Sequence, residues 1–136
     1  MWRRRRTLPA ELHSSYDAFV VCAEQVDLAQ RAMIRCVPSS PRSAALPLEV
    51  GADTVRVALA DAARLMPGWR HPAVEASWIA CTAALDETLA GVDAAVARAA
   101  ATAELEVALT AVQALLDPLH AFVDAEDRFT ELRVRR

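Results

Sequence analysis

Lysine is absent from this sequence, glycine occurs three times, and the aromatic residues are three Trp, three Phe and one Tyr among 136 positions. A β-sheet draws heavily on aromatic and β-branched side chains, so this composition favours helices. Because lysine is missing, all 15 basic side chains other than histidine are arginines. Arginine-only usage with abundant alanine is typical of a GC-rich genome, so arginine at a given position does not by itself indicate a phosphate ligand.

Long hydrophobic runs are also missing. The most apolar region, residues 89–116, still contains four charged side chains, so we predict no membrane span. The arginine-rich start is not followed by the apolar segment of a secretory or twin-arginine signal, because Glu11, His13 and Asp17 come directly after it. We therefore expect a cytoplasmic protein.

Positive charge is concentrated at the two ends of an acidic chain. Seven of the 15 arginines lie in residues 3–6 and 133–136, and all 18 carboxylates lie between these segments. Residues 7–132 hold eight arginines and 18 carboxylates, a net charge of −10, whereas the whole chain carries −3. The length is near that of a common single domain. The predicted organisation is a basic arm at 1–7, a helical domain at 8–131 and a basic tail at 132–136.

Residues 8–37 are predicted to form one long helix with a broad apolar face. The heptad pattern that begins at Leu12 is apolar at most inward positions through Phe19, Val26 and Met33. Val20 and Ile34 widen this face on one flank, which indicates burial on more than one side, by other helices or by a second chain. We therefore predict Val20 and Ile34 as partner-binding residues.

Prolines mark the next boundaries. "PSSPRSAALP" (38–47) is predicted to be a loop, and a second helix is expected from about Leu48 to Met66, ended by Pro67 and Gly68. Pro72 suits the first position of a third helix, where its missing N–H has no intrahelical partner to lose.

The third and fourth helices are harder to separate. The apolar phase of the third runs from Val74 to Val96, and a turn is predicted near 98–102, with Thr102 as a candidate N-cap. An unbroken alanine-rich helix and a C-cap at Gly91 are the alternatives. The fourth helix contains Pro118, but its apolar phase continues through the proline, which favours a kink over a break.

Four helices with short connections predict an all-α fold, an antiparallel up-down four-helix bundle with helix four kinked near Pro118. In that fold the first helix starts and the last one ends at the same pole, so the arginines of both ends form one basic cap. The cap residues, all predicted as partner-binding, are Arg3, Arg4, Arg5, Arg6, Arg133, Arg135 and Arg136.

The basic cap favours binding of an anionic partner, although two alternatives for the arginine tails are open. The tails could be solvated, or they could pair with carboxylates at the same pole, such as Asp124 and Glu131. Nucleic acid is disfavoured, because no recognition helix and no aromatic residues interleaved with the arginines are present.

The thiols and imidazoles do not predict a metal or redox site. Cys22 and Cys36 lie about 21 Å apart on one helix, and with Cys81 they fall at inward positions typical of buried thiols. Asp117 and Asp124 flank His120, but these three lie on the polar side of the helix. We expect a solvated face there, and no metal or cofactor.

Two of the three tryptophans can be assigned a place in the predicted fold. Trp78 falls at a core position of the third helix. Trp69 lies in the turn before that helix, and we expect it to fold back as a plug over the end of the bundle. An exposed tryptophan is also a frequent interface anchor, so Trp69 is included among the candidate partner-binding residues.

One short segment resembles a catalytic motif. "RLMPGWRH", from Arg64 to His71, resembles the Arg-x(4–6)-His motif of HEPN-type helical ribonucleases. The resemblance implies that His71 acts as a general acid or base on a ribose 2′-OH and that Arg64 holds the phosphate. It covers two residues, and Pro67 and Gly68 lie between them.

The sequence therefore predicts a non-catalytic helical interaction module that binds another protein or a second copy of itself. A HEPN-like ribonuclease that uses Arg64 and His71 is the first alternative. The second is a small-molecule-binding bundle with a pocket lined by Phe19, Met33 and Trp78.

Overall fold

The computed structural model describes residues 8–37 and 47–133, and every regular element within these two ranges is helical. The all-α class is therefore confirmed. The α-helices are α1 (His13–Ile34), α2 (Leu48–Leu65), α3 (Glu75–Ala100), α4 (Leu105–Leu116) and α5 (Ala121–Glu131). Short 3-10 helices precede or join them at Ala10–Leu12, Met66–Trp69, Pro72–Val74 and Asp117–His120.

Prolines set most of the boundaries, as the sequence predicts. Pro47 has an extended backbone (φ −56°, ψ 138°) and α2 begins at the next residue. Pro67 lies in the 3-10 turn that follows α2. His71 is extended, and its Nδ1 accepts the N–H of Ala73 at 3.0 Å, which caps the turn that contains Pro72.

The turn between α3 and α4 lies close to its predicted position. The helix α3 ends at Ala100 and α4 begins at Leu105, so the alternative of one unbroken alanine-rich helix is wrong. Glu104 is the residue that precedes α4, and Thr102 stabilises the turn because its Oγ1 accepts the N–H of Glu104 at 3.0 Å. Gly91 lies inside α3 and caps no helix.

Pro118 falls in the 3-10 turn between α4 and α5. The backbone of Asp117–His120 forms i to i+3 hydrogen bonds, since proline has no N–H to donate to an α-helical bond. Leu116 and Leu119 remain buried on either side of the proline, so the apolar face continues through the turn.

An aromatic cluster fills one end of the core. The ring of Phe19 lies 5.0 Å from that of Trp69 in an edge-to-face arrangement and 5.2 Å from that of Phe129. Tyr16 lies 5.1 Å from Phe129, and Phe122 completes the cluster. Farther along the helices the core is aliphatic, with the fully buried side chains Met33, Val55, Leu59, Leu85, Val92 and Val112.

Two cysteines lie where α1 and α2 approach each other closely. The thiol of Cys22 contacts the carbonyl oxygen of Ala62 at 3.3 Å, and the thiol of Cys36 contacts that of Pro47 at 3.5 Å. Gly51 fits this close approach, because a Cβ at its position would overlap the Sγ of Cys36. The small residue therefore permits the close approach of the two helices.

The last helical stretch is unusually apolar. Leu105–Glu131 spans 27 residues, and its most apolar window has a mean hydropathy of 1.2 and is 33 % buried. By length and composition alone this stretch could cross a membrane, contrary to the expectation from the sequence. A core helix passes the same test, and Val112, Leu116 and Phe129 pack in the core. The stretch therefore combines core side chains with exposed apolar side chains such as Leu105 and Val107.

Candidate partner-binding groove

An open groove runs along the surface between α1 and the α4–α5 stretch. Its volume is about 680 Å³. The wall on α1 is formed by Asp27, Gln30, Arg31 and Ile34. The opposite wall is formed by Leu109, Val112, Gln113, Leu116, Asp117, His120 and Val123. The groove follows the chain from Leu109 to Val123, which is about 21 Å at 1.5 Å per residue.

The groove has an apolar floor and an apolar rim. Val112 and Leu116 are buried at its base. Ile34, Leu109 and Val123 stand along its edges with 54 %, 37 % and 50 % of their surface exposed. Large apolar side chains that converge on one concave surface are typical of a site that buries a partner.

The charges around the groove differ between its two walls. On α1 the carboxylate of Asp27 is paired with Arg31 at 2.8 Å. On the other wall Asp117 is exposed, and Asp124 lies 3.5 Å from the His120 imidazole. The α4–α5 wall is therefore acidic, while the α1 wall is close to neutral.

The two predicted partner-binding residues of α1 lie in different environments. Ile34 is exposed and lines the groove. Val20 is only partly exposed and packs against the core, so it contributes little free surface. Its neighbour Val21 is exposed instead.

Trp69 cannot be a surface anchor, which corrects its inclusion among the partner-binding residues. The side chain is completely buried, and its Nε1 donates to the Met66 sulfur at 3.3 Å. Its carbonyl oxygen accepts a hydrogen bond from the buried Ser15 hydroxyl at 2.7 Å. The ring fills the aromatic end of the core, because the 3-10 turn that contains Pro67 turns it inward. This position agrees with the expected plug.

Most of the predicted basic cap lies outside the described residues. Arg3, Arg4, Arg5, Arg6, Arg135 and Arg136 belong to this part of the chain. Arg133 is described and half-buried, and its Nε and Nη2 have no hydrogen-bond partner among residues 8–37 and 47–133. An anionic partner at this pole stays a prediction.

The two residues of the ribonuclease-like segment take part in local contacts. Arg64 is exposed and forms an ion pair with Asp61 one turn earlier in α2. The Nδ1 of His71 is used in the cap of the following turn. Each residue therefore has a structural role within its own segment.

The residues predicted to line a small-molecule pocket are surrounded by protein. Phe19 and Met33 are fully buried, and the ring of Phe19 is enclosed by other aromatic rings. Trp78 is half-buried, with its Nε1 donating to the carbonyl of Met66 at 2.8 Å and the guanidinium of Arg70 over its ring.

The cysteines are buried thiols, as predicted. All three are free, and Cys22 and Cys81 are completely buried. Burial raises the pKa of Cys22 to about 11, although a hydrogen bond from Trp69 opposes the shift. Burial also raises the pKa of Cys81 to about 12. Since the thiolate is the reactive form, neither thiol is nucleophilic near neutral pH.

We expect Cys22 and Cys81 to resist alkylation at pH 8 in the folded protein and to react at once in guanidinium chloride. Both thiols have a higher pKa in the folded protein than in the unfolded chain. Their ionisation therefore leaves the free energy of unfolding unchanged below the ordinary thiol pKa of 9.0, and lowers it as the pH rises toward about 12. Mass spectrometry of alkylated peptides measures the protection, and Val57→Cys, at an exposed position, provides a reactive control. Rapid native labelling of Cys81 contradicts the packing described here.

The imidazole and carboxylate groups do not converge into a metal site. Asp117, His120 and Asp124 are all exposed, as the sequence predicts for a solvated face. Within residues 8–37 and 47–133, no group of three or more His, Cys, Asp or Glu side chains is arranged to hold a metal ion.

A second, shallower depression lies between α1 and α2. Its volume is about 280 Å³, and Leu28 and Val57 line it together with the neutral polar residues Gln25 and Thr54. The acidic residues Asp53 and Asp61 at its edge are paired with Arg56 and Arg64.

Comparisons of this chain with protein-family models, with curated proteins and with solved structures find no match.

Sequence reasoning identified one groove residue, Ile34, and missed the opposite wall. In the sequence, Leu109 and Val123 have the spacing of core positions of the fourth helix, because they share its apolar stripe. The signal that could have revealed them is the width of that stripe, since Leu105, Val107, Leu109 and Val123 give α4–α5 more apolar surface than one core contact buries.

Proposed function

We propose that this chain is a non-catalytic helical-bundle interaction module that binds a helix of a partner protein in the groove between α1 and α4–α5. The observation that carries the proposal is the exposed apolar rim of Ile34, Leu109 and Val123 above a buried apolar floor. An amphipathic helix that lies in such a groove buries its apolar side chains against rim and floor.

We infer that the helices form an antiparallel up-down bundle. The contacts between α1 and α2 support this arrangement. Cys22, near the middle of α1, contacts Ala62 near the end of α2, whereas Cys36, just after α1, contacts Pro47 just before α2. Later residues of one helix thus meet earlier residues of the other.

The fourth helix is inferred to bend at Pro118 while running antiparallel to α1. The hydroxyl of Tyr16, near the start of α1, donates at 2.9 Å to Glu126, in the middle of α5. At the other end of α1, Ile34 lies across the groove from Leu109. The 3-10 turn Asp117–His120, which contains Pro118, lies between these two contacts and is the place where the bend is inferred.

The test uses an amphipathic peptide of about 15 residues, with leucines spaced by three and four and with alanine and glutamine elsewhere. We expect it to bind the protein, and we expect Leu109→Asp to weaken binding at least about tenfold, because a carboxylate would be buried without a partner. Fluorescence anisotropy of the labelled peptide measures the affinity.

Ile79→Asp is the control, because Ile79 is also an exposed apolar residue, at 56 % against 37 % for Leu109, but lies on α3 outside the groove. This variant should bind the peptide as the unmodified protein does. Equal weakening by both substitutions, or no binding at all, contradicts a specific groove.

We do not propose the ribonuclease alternative, because no contact described for Arg64 or His71 favours it. Arg64 pairs with Asp61, and the His71 ring accepts a backbone N–H.

A further inference from the structure

We propose that the helix bound by the groove is basic along the flank that faces α4–α5. This inference depends on the proposed function and adds the chemistry of the partner. It is argued from the charge of the groove walls and of the surrounding body.

Three carboxylates follow the α4–α5 wall. Asp117 lines the groove, and Asp124, seven residues later, pairs with the groove residue His120. Glu106 lies seven residues before the groove residue Gln113, so it falls on the same stripe of α4. Within residues 8–37 and 47–133, no arginine lies within ion-pair distance of these three carboxylates.

The α1 wall has a different charge pattern. Asp27 is neutralised by Arg31 one turn later, and Gln30 between them is uncharged. A partner helix therefore meets negative potential on only one of its two flanks. Arginine or lysine on that flank would pair with the carboxylates, whereas the other flank needs no charge.

The charge around the groove separates a basic partner from the same face of a second copy. The whole chain carries a net charge of −3, but its 18 carboxylates all lie between the two arginine-rich ends, so the helical body is acidic. A cationic segment is attracted to this surface, whereas the groove face of a second copy presents the same carboxylates. The groove is therefore better suited to a basic amphipathic helix than to another copy of this surface.

The length of the groove limits the partner segment. From Leu109 to Val123 the wall is about 21 Å long, which matches about 14 helical residues. Leucine-like side chains spaced by three and four over these turns would contact Leu109, Leu116 and Val123 in succession.

The experiment compares two peptides that share one leucine stripe and differ only in the flank, arginine in one and glutamate in the other. We expect the arginine peptide to bind at least about tenfold more tightly at low salt, and the difference to shrink to less than about threefold at 1 M salt. Binding to the Asp117→Asn/Asp124→Asn protein should lose most of the preference. Asp86→Asn, at an exposed position on α3, should keep it.

The outcomes separate this inference from the proposed function. If the uncharged peptide binds in a manner that depends on Leu109 but the arginine and glutamate peptides bind equally, the inference is wrong and the function stands. If none of the peptides binds, both fail. If sedimentation shows a dimer that Leu109→Asp dissociates, the occupant is a second copy and the inference is overturned.

Discussion

Replacing Trp69 with alanine is expected to lower the free energy of unfolding by about 3–5 kcal/mol. The indole is completely buried among Phe19 and Phe129, and it holds the turn between α2 and α3 against α1. Its loss leaves a cavity between three helical segments, which cannot all relax into it. Chemical denaturation followed by circular dichroism measures the change, and a domain of ordinary stability would be left marginal.

Trp78→Ala provides the comparison, because this ring is half-buried and its loss creates less cavity. We expect a clearly smaller change than for Trp69→Ala. Trp69→Phe should fall between the two, since it keeps most of the volume and loses the hydrogen bond to Met66. A Trp69→Ala protein as stable as Trp78→Ala would contradict the position assigned to Trp69.

Gly51→Ala is expected to destabilise the protein by about 1–3 kcal/mol, although alanine is the better helix former. The added methyl group overlaps the Sγ of Cys36 and lies 3.3 Å from the carbonyl oxygen of Ala32. The thiol is confined by its own contacts with Ala32 and Pro47. The helices α1 and α2 would have to separate to admit the methyl group.

The sign of this effect should reverse when Cys36 is first replaced with alanine. In that background the methyl group occupies the space left by sulfur, and Gly51→Ala should be neutral or stabilise by up to about 1 kcal/mol. Gly91→Ala is the matched control, because its methyl group would meet only the Leu115 side chain, at 3.3 Å. A double-mutant cycle without coupling between positions 36 and 51 contradicts the contact between α1 and α2.

The helices were predictable because local signals and packing agree. Prolines at 47, 67 and 72 leave the chain few ways to continue a helix, and the inward cysteines are small enough for close helix contacts. The turn after α3 was located only approximately, because alanine-rich residues 94–101 favour a helix whether or not one ends there.

Whether an individual side chain at the flank of a helix is buried or exposed was less predictable from the sequence. Val20 and Val21 are adjacent and chemically identical, yet one packs against the core and the other is exposed. Which of them faces inward depends on the rotation of α1 about its own axis in the fold, which periodicity determines only to within about one residue. Trp69 was ambiguous for a similar reason, because its orientation depends on the turn geometry after Met66.

The groove could not be predicted, because it results from a separation of helices and not from a motif. Leu109 and Val123 have the spacing of core residues, and the sequence alone assigns them to the core. In the structure they stand exposed along the groove, opposite Ile34 of α1. A sequence pattern shows which residues of a helix are apolar, but it does not show whether another helix covers them.

The two isoleucines of this chain allow the most direct test of the groove as a binding site. Ile34 lies in the groove and Ile79 lies outside it, with 54 % and 56 % of their surfaces exposed. A methyl spectrum of protein labelled at isoleucine should therefore contain two δ1 resonances. On titration with the arginine-flanked leucine peptide, the Ile34 resonance should shift to saturation while that of Ile79 stays in place. A stationary Ile34 resonance under conditions where the peptide binds would contradict the account.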